Sequence, residues 1–207
     1  MIRNIGYLLV LTGAGLLAFW KGIFLRNPKR TTPKGNHIVA PADGRIIEIF
    51  TYKDKSVDLF KGGHEWLGHI HTLTNDIAKE GYIISIFMSP LDVHHNRSPI
   101  SGTVRSVKHS DGKFLAVNTF QAGLVNEKTE TIIHGTIKVK MVQIAGFLAR
   151  RVITNVRPGD KVKAGQHVGL INLGSQVTLV VPKSVMLMCN KGDRVIAGET
   201  ILAKINS

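Results

Sequence analysis

The chain has 207 residues, with 27 Lys and Arg against 14 Asp and Glu, a formal charge of +13, one Cys and 43% hydrophobic residues. That length fits one domain or two small ones, and a mean hydropathy of +0.09 with 20% charged residues excludes general disorder and a multi-span membrane protein. The lone Cys189 excludes an internal disulfide, and 6% aromatic residues with no RNA or DNA module argue against nucleic acid, which leaves a membrane or an anionic substrate for the surplus charge.

In chain order the first feature is Ile5 to Trp20, which carries no charge, followed by Lys21 and the apolar Gly22 to Leu25. Spanning a bilayer takes roughly 20 apolar residues. The stretch reaches that length only if Lys21 snorkels to the interface. Phe19, Trp20 and Lys21 stand where a removable leader would have a small-x-small cleavage site. The segment is apolar all round, unlike a core helix with one buried stripe. Residues 1–25 are therefore expected to form a membrane anchor helix that spans the bilayer or lies in its interface. Arg26, Lys29, Arg30 and Lys34 follow it, against Arg3 before it. By the positive-inside tendency the body then sits on the cytoplasmic side of the cell membrane.

Residues 26–36 read as a basic, extended linker with two prolines. Residues 37–207 read as one mainly β domain of short runs punctuated by Gly and Pro. The runs are Arg45–Phe50, Tyr82–Met88, Thr103–Val107, Thr131–Ile144, His167–Leu173 and Val177–Val181. Leu148–Val152 is the one candidate helical turn. Two segments share G-D-[KR]-V-x-A-G at an offset of 33 residues, with Gly159 matching Gly192 and Gly165 matching Gly198. Self-similarity of this kind means a repeated supersecondary unit, here a hairpin entering a strand. A looser pair lies upstream, Pro41-x-x-Gly44-x-Ile46 and Pro99-x-x-Gly102-x-Val104. The pattern resembles the barrel-sandwich of lipoyl- and biotinyl-carrier domains. Those carriers place a modifiable Lys between their halves, and Asn172 to Gln176 contains none, so the carrier function does not transfer.

Three places carry candidate chemistry. In Gly174-Ser175 a serine hydroxyl follows an unhindered glycine carbonyl, which allows attack and a peptide-to-ester shift if the turn is strained. His94 and His95 follow a β-type run, and an imidazole near its ordinary pKa is a general base. Asp43, in Pro41-Ala-Asp-Gly44, is a turn former or the carboxylate of a triad. His69-Ile-His71 is half of a zinc motif, but no third ligand accompanies it, so no metal is expected.

Five motifs then fall in one order: FLRNPKR (Phe24–Arg30), APADGRI (Ala40–Ile46), FMSPLDVHHNRSPISG (Phe87–Gly102), VQIAGFLARRV (Val142–Val152) and LGSQV (Leu173–Val177). In that order they resemble phosphatidylserine decarboxylase proenzymes of the short form, over nearly all of the chain beyond the apolar segment. The resemblance implies self-cleavage between Gly174 and Ser175 into a β chain, 1–174, and a 33-residue α chain, 175–207. It implies that Ser175 becomes a covalent pyruvoyl cofactor whose carbonyl takes the substrate amine as a Schiff base. Phosphatidylserine, an anionic membrane lipid, would lose carbon dioxide to give phosphatidylethanolamine, with His94 as the acid that reprotonates carbon. Long-form members carry a second histidine three residues after the one matching His94, where this chain has Arg97. The base for self-cleavage is then His94 itself, His94 helped by His95, or Asp43 acting on Ser175 another way. Gln176 stands where many members have Ser, Thr or Arg. The alternative is an unprocessed, non-catalytic membrane-anchored β scaffold of the same family. A homo-oligomer is compatible with either.

Overall fold

A computed structural model describes residues 2–53, 56–57, 74, 76–112, 126–146, 151–172 and 175–206. The N-terminal segment is helical but not uniform. Ile2–Ala18 is an α-helix, α1, and Phe19–Phe24 continues it as a π-helix closed by Leu25 N–H donating to the Trp20 carbonyl at 2.9 Å. Tyr7, Val10, Leu11, Leu16 and Leu17 are 61–69% exposed. Among the described residues no helix is long and apolar enough to cross a membrane. Residues 26–34 have no regular structure, as a proline-containing linker should not.

Fifteen strands follow among the described residues. They are β1 (His37–Val39), β2 (Gly44–Lys53), β3 (Ser56–Val57), β4 (Glu80–Met88), β5 (His95–Arg97), β6 (Gly102–Ser110), β7 (Lys128–His134) and β8 (Lys138–Ile144), then β9 (Val152–Thr154), β10 (Lys161–Val162), β11 (His167–Ile171), β12 (Ser175–Pro182), β13 (Val185–Leu187), β14 (Arg194–Val195) and β15 (Ile201–Ile205). The main antiparallel sheet runs β10-β6-β7-β8-β12-β4-β2-β14, with β3 beside β2, and two three-stranded sheets run β1-β15-β13 and β5-β11-β9. The chain is mainly β, as the short runs predict. Thr131–Ile144 is two strands rather than one, because the chain turns at Gly135, where a Cβ would lie 2.1 Å from the Ser101 carbonyl oxygen. Leu173, at the end of an expected run, lies outside the described residues, as do 148–150 of the expected helical turn. Val152 opens β9 instead.

The repeat has a spatial meaning. Gly159 and Gly192 take φ of +98° and +95°, and Gly165 and Gly198 both take +76°, a region that favours glycine. Each downstream copy docks on an upstream one. Gly159 N–H donates to the Val104 carbonyl and Val104 N–H to that of Asp160, while Gly192 and Ile46 make the matching pair with Ile46 and Asp193. At the crossing, Arg97 N–H donates to the Pro41 carbonyl and Val39 N–H to that of Pro99, both at 2.9 Å. Two interlocked halves thus meet about a pseudo-twofold, where Gly198 packs on Gly165 so closely that a Cβ would sit 3.2 Å from its Cα.

Between the halves lies the core, including Ile46, Ile84, Ile86, Met88, Met141, Val177, Leu179 and Leu202, each fully buried. β12 is buried along seven of its eight residues, so both its faces are covered. Val177, Leu179 and Val181 enter the core. On the other face Thr178 meets Ser85, their hydroxyl oxygens 3.1 Å apart. That strand carries Ser175 at its first position.

Candidate active site

Ser175 is fully buried and pairs in register with Met88, the last residue of β4. Its hydroxyl donates to the Asn172 carbonyl at 3.4 Å, a long bond that leaves the oxygen's lone pairs uncommitted. Gly174, the other side of the expected cleavage site, lies outside the described residues. Gln176 is also fully buried. Its Nε2 donates to Thr178 Oγ1 at 3.0 Å and its Oε1 has no partner.

Beyond Met88 the chain turns through Ser89–Val93 to reach His94. Asp92 holds that turn. Its Oδ2 accepts from Ser89 N–H and Oγ–H at 2.8 and 2.7 Å, and its Oδ1 takes Arg194 at 2.7 Å. The Asp92 backbone carbonyl faces His94 Nδ1 at 2.9 Å. A carbonyl only accepts, so Nδ1 carries the hydrogen and Nε2 is left bare. His94 Nε2 is buried with no partner. Burial drives the pKa of this histidine down to about 4, with Arg26 and His95 pushing the same way against the opposing Asp92. The resting imidazole is therefore neutral, with a lone pair free inside the protein. Its own carbonyl accepts from Ile171 N–H at 3.3 Å, which ties the His94 backbone to the end of β11, just before Asn172 and Ser175. The fold thus brings the loops carrying His94 and Ser175 together, although the serine proton rests on Asn172.

Asp43 is placed differently from the triad expectation. Both its oxygens accept from Arg30 Nη2, at 3.0 and 2.7 Å, and Oδ1 also takes Ala197 N–H at 2.8 Å. The contact that orients His94 comes from the Asp92 backbone, not from the Asp43 carboxylate. His95 pairs its Nδ1 with His167 Nε2 at 2.9 Å and sets its Nε2 3.3 Å from the Leu25 carbonyl. Burial lowers the pKa of both histidines. Arg97 donates to the Gly165 carbonyl, to Asn27 Oδ1 and to the Pro28 carbonyl. It grips the linker with the side chain that replaces the second histidine.

Among the described residues no group of His, Cys, Asp and Glu is arranged to hold a metal ion, and His69 and His71 lie outside them. Cys189 is buried and its thiol is pushed up to about 11, so it is a core filler rather than a nucleophile. Sequence reasoning missed Asp92 and His167. The Ser89-x-x-Asp92 spacing is a turn signature that could have found Asp92, whereas His167 reaches the site from far along the chain.

Comparison with known proteins places this geometry in a family. The family model for phosphatidylserine decarboxylase matches residues 18–203. A proenzyme of Methanocaldococcus jannaschii, provisionally named an archaetidylserine decarboxylase, is 38% identical over 182 residues, 87% of either chain. The phosphatidylserine decarboxylase proenzyme of Pelodictyon phaeoclathratiforme is 37% identical over 192 residues, covering 92% of this chain and 81% of that protein. That of Azorhizobium caulinodans is 36% identical over 210 residues, covering 98% and 83%. With a model that matches most of the chain and relatives this similar over four-fifths or more of their length, the chain belongs to the phosphatidylserine decarboxylase family.

Proposed function

We propose that the protein decarboxylates phosphatidylserine to phosphatidylethanolamine after cutting itself between Gly174 and Ser175. The observation that carries this reading is the bare, buried Nε2 of His94, on a residue whose backbone carbonyl is bonded to Ile171, four residues before Ser175. In the uncut chain the neutral imidazole is the group suited to take the Ser175 proton while Oγ attacks the Gly174 carbonyl carbon. The peptide C–N bond then breaks, an ester forms, and the proton passes to the freed amine of Ser175; loss of the Ser175 α-proton expels the Gly174 carboxylate and parts the chains, and water replaces the amine, which leaves as ammonia.

The buried first position of β12 fits the pyruvoyl group that the resemblance implies. It is sealed from water and flanked by Met88, with the unpartnered Gln176 Oε1 one residue on. A pyruvoyl group made from Ser175 supplies a carbonyl electron sink for the carbon that loses carbon dioxide. The residues around it manage protons and water. The substrate's amine arrives as an ammonium and must shed a proton before it can act as a nucleophile, and His94 Nε2 is the acceptor. The same nitrogen returns a proton to carbon once carbon dioxide has left. Phe24, Met88 and the buried ends of β4 and β12 keep bulk water from protonating or hydrolysing out of turn.

The membrane is the second element of the reading. Exposed apolar side chains around α1 are unusual on a water-facing helix and suit a lipid surface. Arg26, Lys29 and Lys34 follow at its end, each worth about 1 kcal/mol near an anionic leaflet, which supports a position of the domain on the cytoplasmic side. A serine-headed ether lipid presents the same reacting atoms as phosphatidylserine, so the head group rather than the tails is what the site reads. Incubating the purified protein with vesicles containing phosphatidylserine tests the function. Ethanolamine lipid should form with the wild type and not with Ser175→Ala, and equal product from both would overturn the assignment.

A further inference from the structure

His94 owes its dryness to a residue 70 positions upstream. Phe24 is fully buried, and its ring lies over the imidazole with centroids 4.3 Å apart at 38°. Trp20 backs it, stacked at 4.7 Å and 14°. The π-helical turn that ends the apolar segment therefore delivers an aromatic ring into the site. The residues that follow are fastened one by one. The Leu25 carbonyl faces His95 Nε2, Arg26 donates to the Leu91 carbonyl at 2.5 Å, Arg97 holds Asn27 and Pro28, and Arg30 is paired with Asp43. Asp43, His95 and Arg97, the last a possible auxiliary residue in place of a second histidine, thus serve as clamps on this strap.

We propose that Phe24 is a positioning residue for His94: its ring, held by the strap, excludes water from the imidazole and keeps it neutral with Nε2 bare. The N-terminal segment is then a working part of the site as well as an anchor, and membrane engagement of α1 bears directly on the proton-handling group. The catalytic consequence rests on the reading of His94 given above, whereas the effect on the imidazole itself does not. The charged and titratable groups around His94 are Asp92 on its own loop, Arg26 on the strap and His95 beside it, with Arg194 countering the Asp92 carboxylate. Asp92 alone favours the imidazolium, and burial outweighs it. Removing the ring admits water and leaves the other groups in place, so the imidazole should return toward its ordinary value.

The test is a histidine-labelled NMR titration of the full-length chain in detergent micelles, kept uncut by Ser175→Ala in every titrated variant, with the His94 signal assigned by its loss in His94→Gln. The wild-type signal should titrate near pH 4. In Phe24→Ala it should move up by at least one pH unit, a tenfold gain in proton affinity, while Phe24→Leu, which keeps an apolar cover, should stay close to wild type. The pH profile of kcat should move in the same direction in Phe24→Ala. If Phe24→Ala does not fold, Trp20→Ala removes the ring behind Phe24 and should show a smaller shift of the same sign. An unchanged His94 titration in a folded Phe24→Ala or Trp20→Ala protein overturns the proposal. Wild-type turnover by His94→Gln would instead remove the catalytic reading of His94, and the titration would still decide the role of Phe24.

Discussion

The depressed pKa of His94 makes acid sensitivity a quantitative consequence of the site. A histidine whose folded-state pKa lies below its unfolded value binds its proton more readily when unfolded. His94 falls from 6.5 to about 4, so its contribution is fully present above pH 6.5 and is lost as the pH drops toward 4. Between pH 7 and pH 4.5 that loss amounts to about 2–3 kcal/mol, a large share of a typical domain's stability. His95 and His167 shift in the same direction, so the measurement has to isolate His94. Urea unfolding of Ser175→Ala, which keeps the chain in one piece, is compared with that of Ser175→Ala, His94→Gln at both pH values. The single variant should lose about 2–3 kcal/mol more than the double on acidification. Equal losses would mean that His94 is not held neutral by burial, and the account of its bare nitrogen would fail with it.

Three further perturbations follow from the geometry. Gly165→Ala should cost several times more than Gly159→Ala in thermal unfolding: both have positive φ, but a Cβ at Gly165 would overlap the Thr32 hydroxyl whereas Gly159 faces open space, where strain alone costs about 1 kcal/mol. Equal effects would show that the strap does not pack on the repeat. Asp92→Ala should leave Ser89 and Arg194 unpaired, lower stability by about 1–3 kcal/mol and slow self-cleavage through a loosened His94, as followed by gel electrophoresis; normal cleavage at normal stability would contradict that role for the turn. Removal of residues 2–18 should release the protein from phosphatidylserine-containing vesicles in flotation at high salt, and retention there would assign membrane binding to the β domain.

Much of the architecture was legible because it is written in local chemistry. The G-D-[KR]-V-x-A-G copies need positive φ at fixed places, and glycine is the residue that takes it, so the turns and their repetition could be read directly. The short β-type run at Val177–Val181 marked a strand, and β12 covers it. The pairing of each copy with an upstream Pro-x-x-Gly segment was not legible, since those hydrogen bonds cross 55 residues or more. The same reason hid the site's finer structure. Ser175 and His94 could be singled out by residue type and resemblance, but Asp92 orients the histidine through its backbone, which no side-chain pattern reports. Asp43 read as a turn former or as the carboxylate of a triad, and the fold shows it paired with Arg30. Arg97 in place of a histidine gains a physical meaning from Asn27 and Pro28, the strap residues it holds.

In the proposed mechanism Ser175 is both the cleavage point and the source of the reactive carbonyl. Intact mass spectrometry of the purified wild-type protein reads both at once. Two chains are expected, 1–174 and 175–207, the second lacking a free N-terminal amine and gaining two hydrogens on treatment with borohydride. A single uncut chain of 22.7 kDa that retains decarboxylase activity would contradict it.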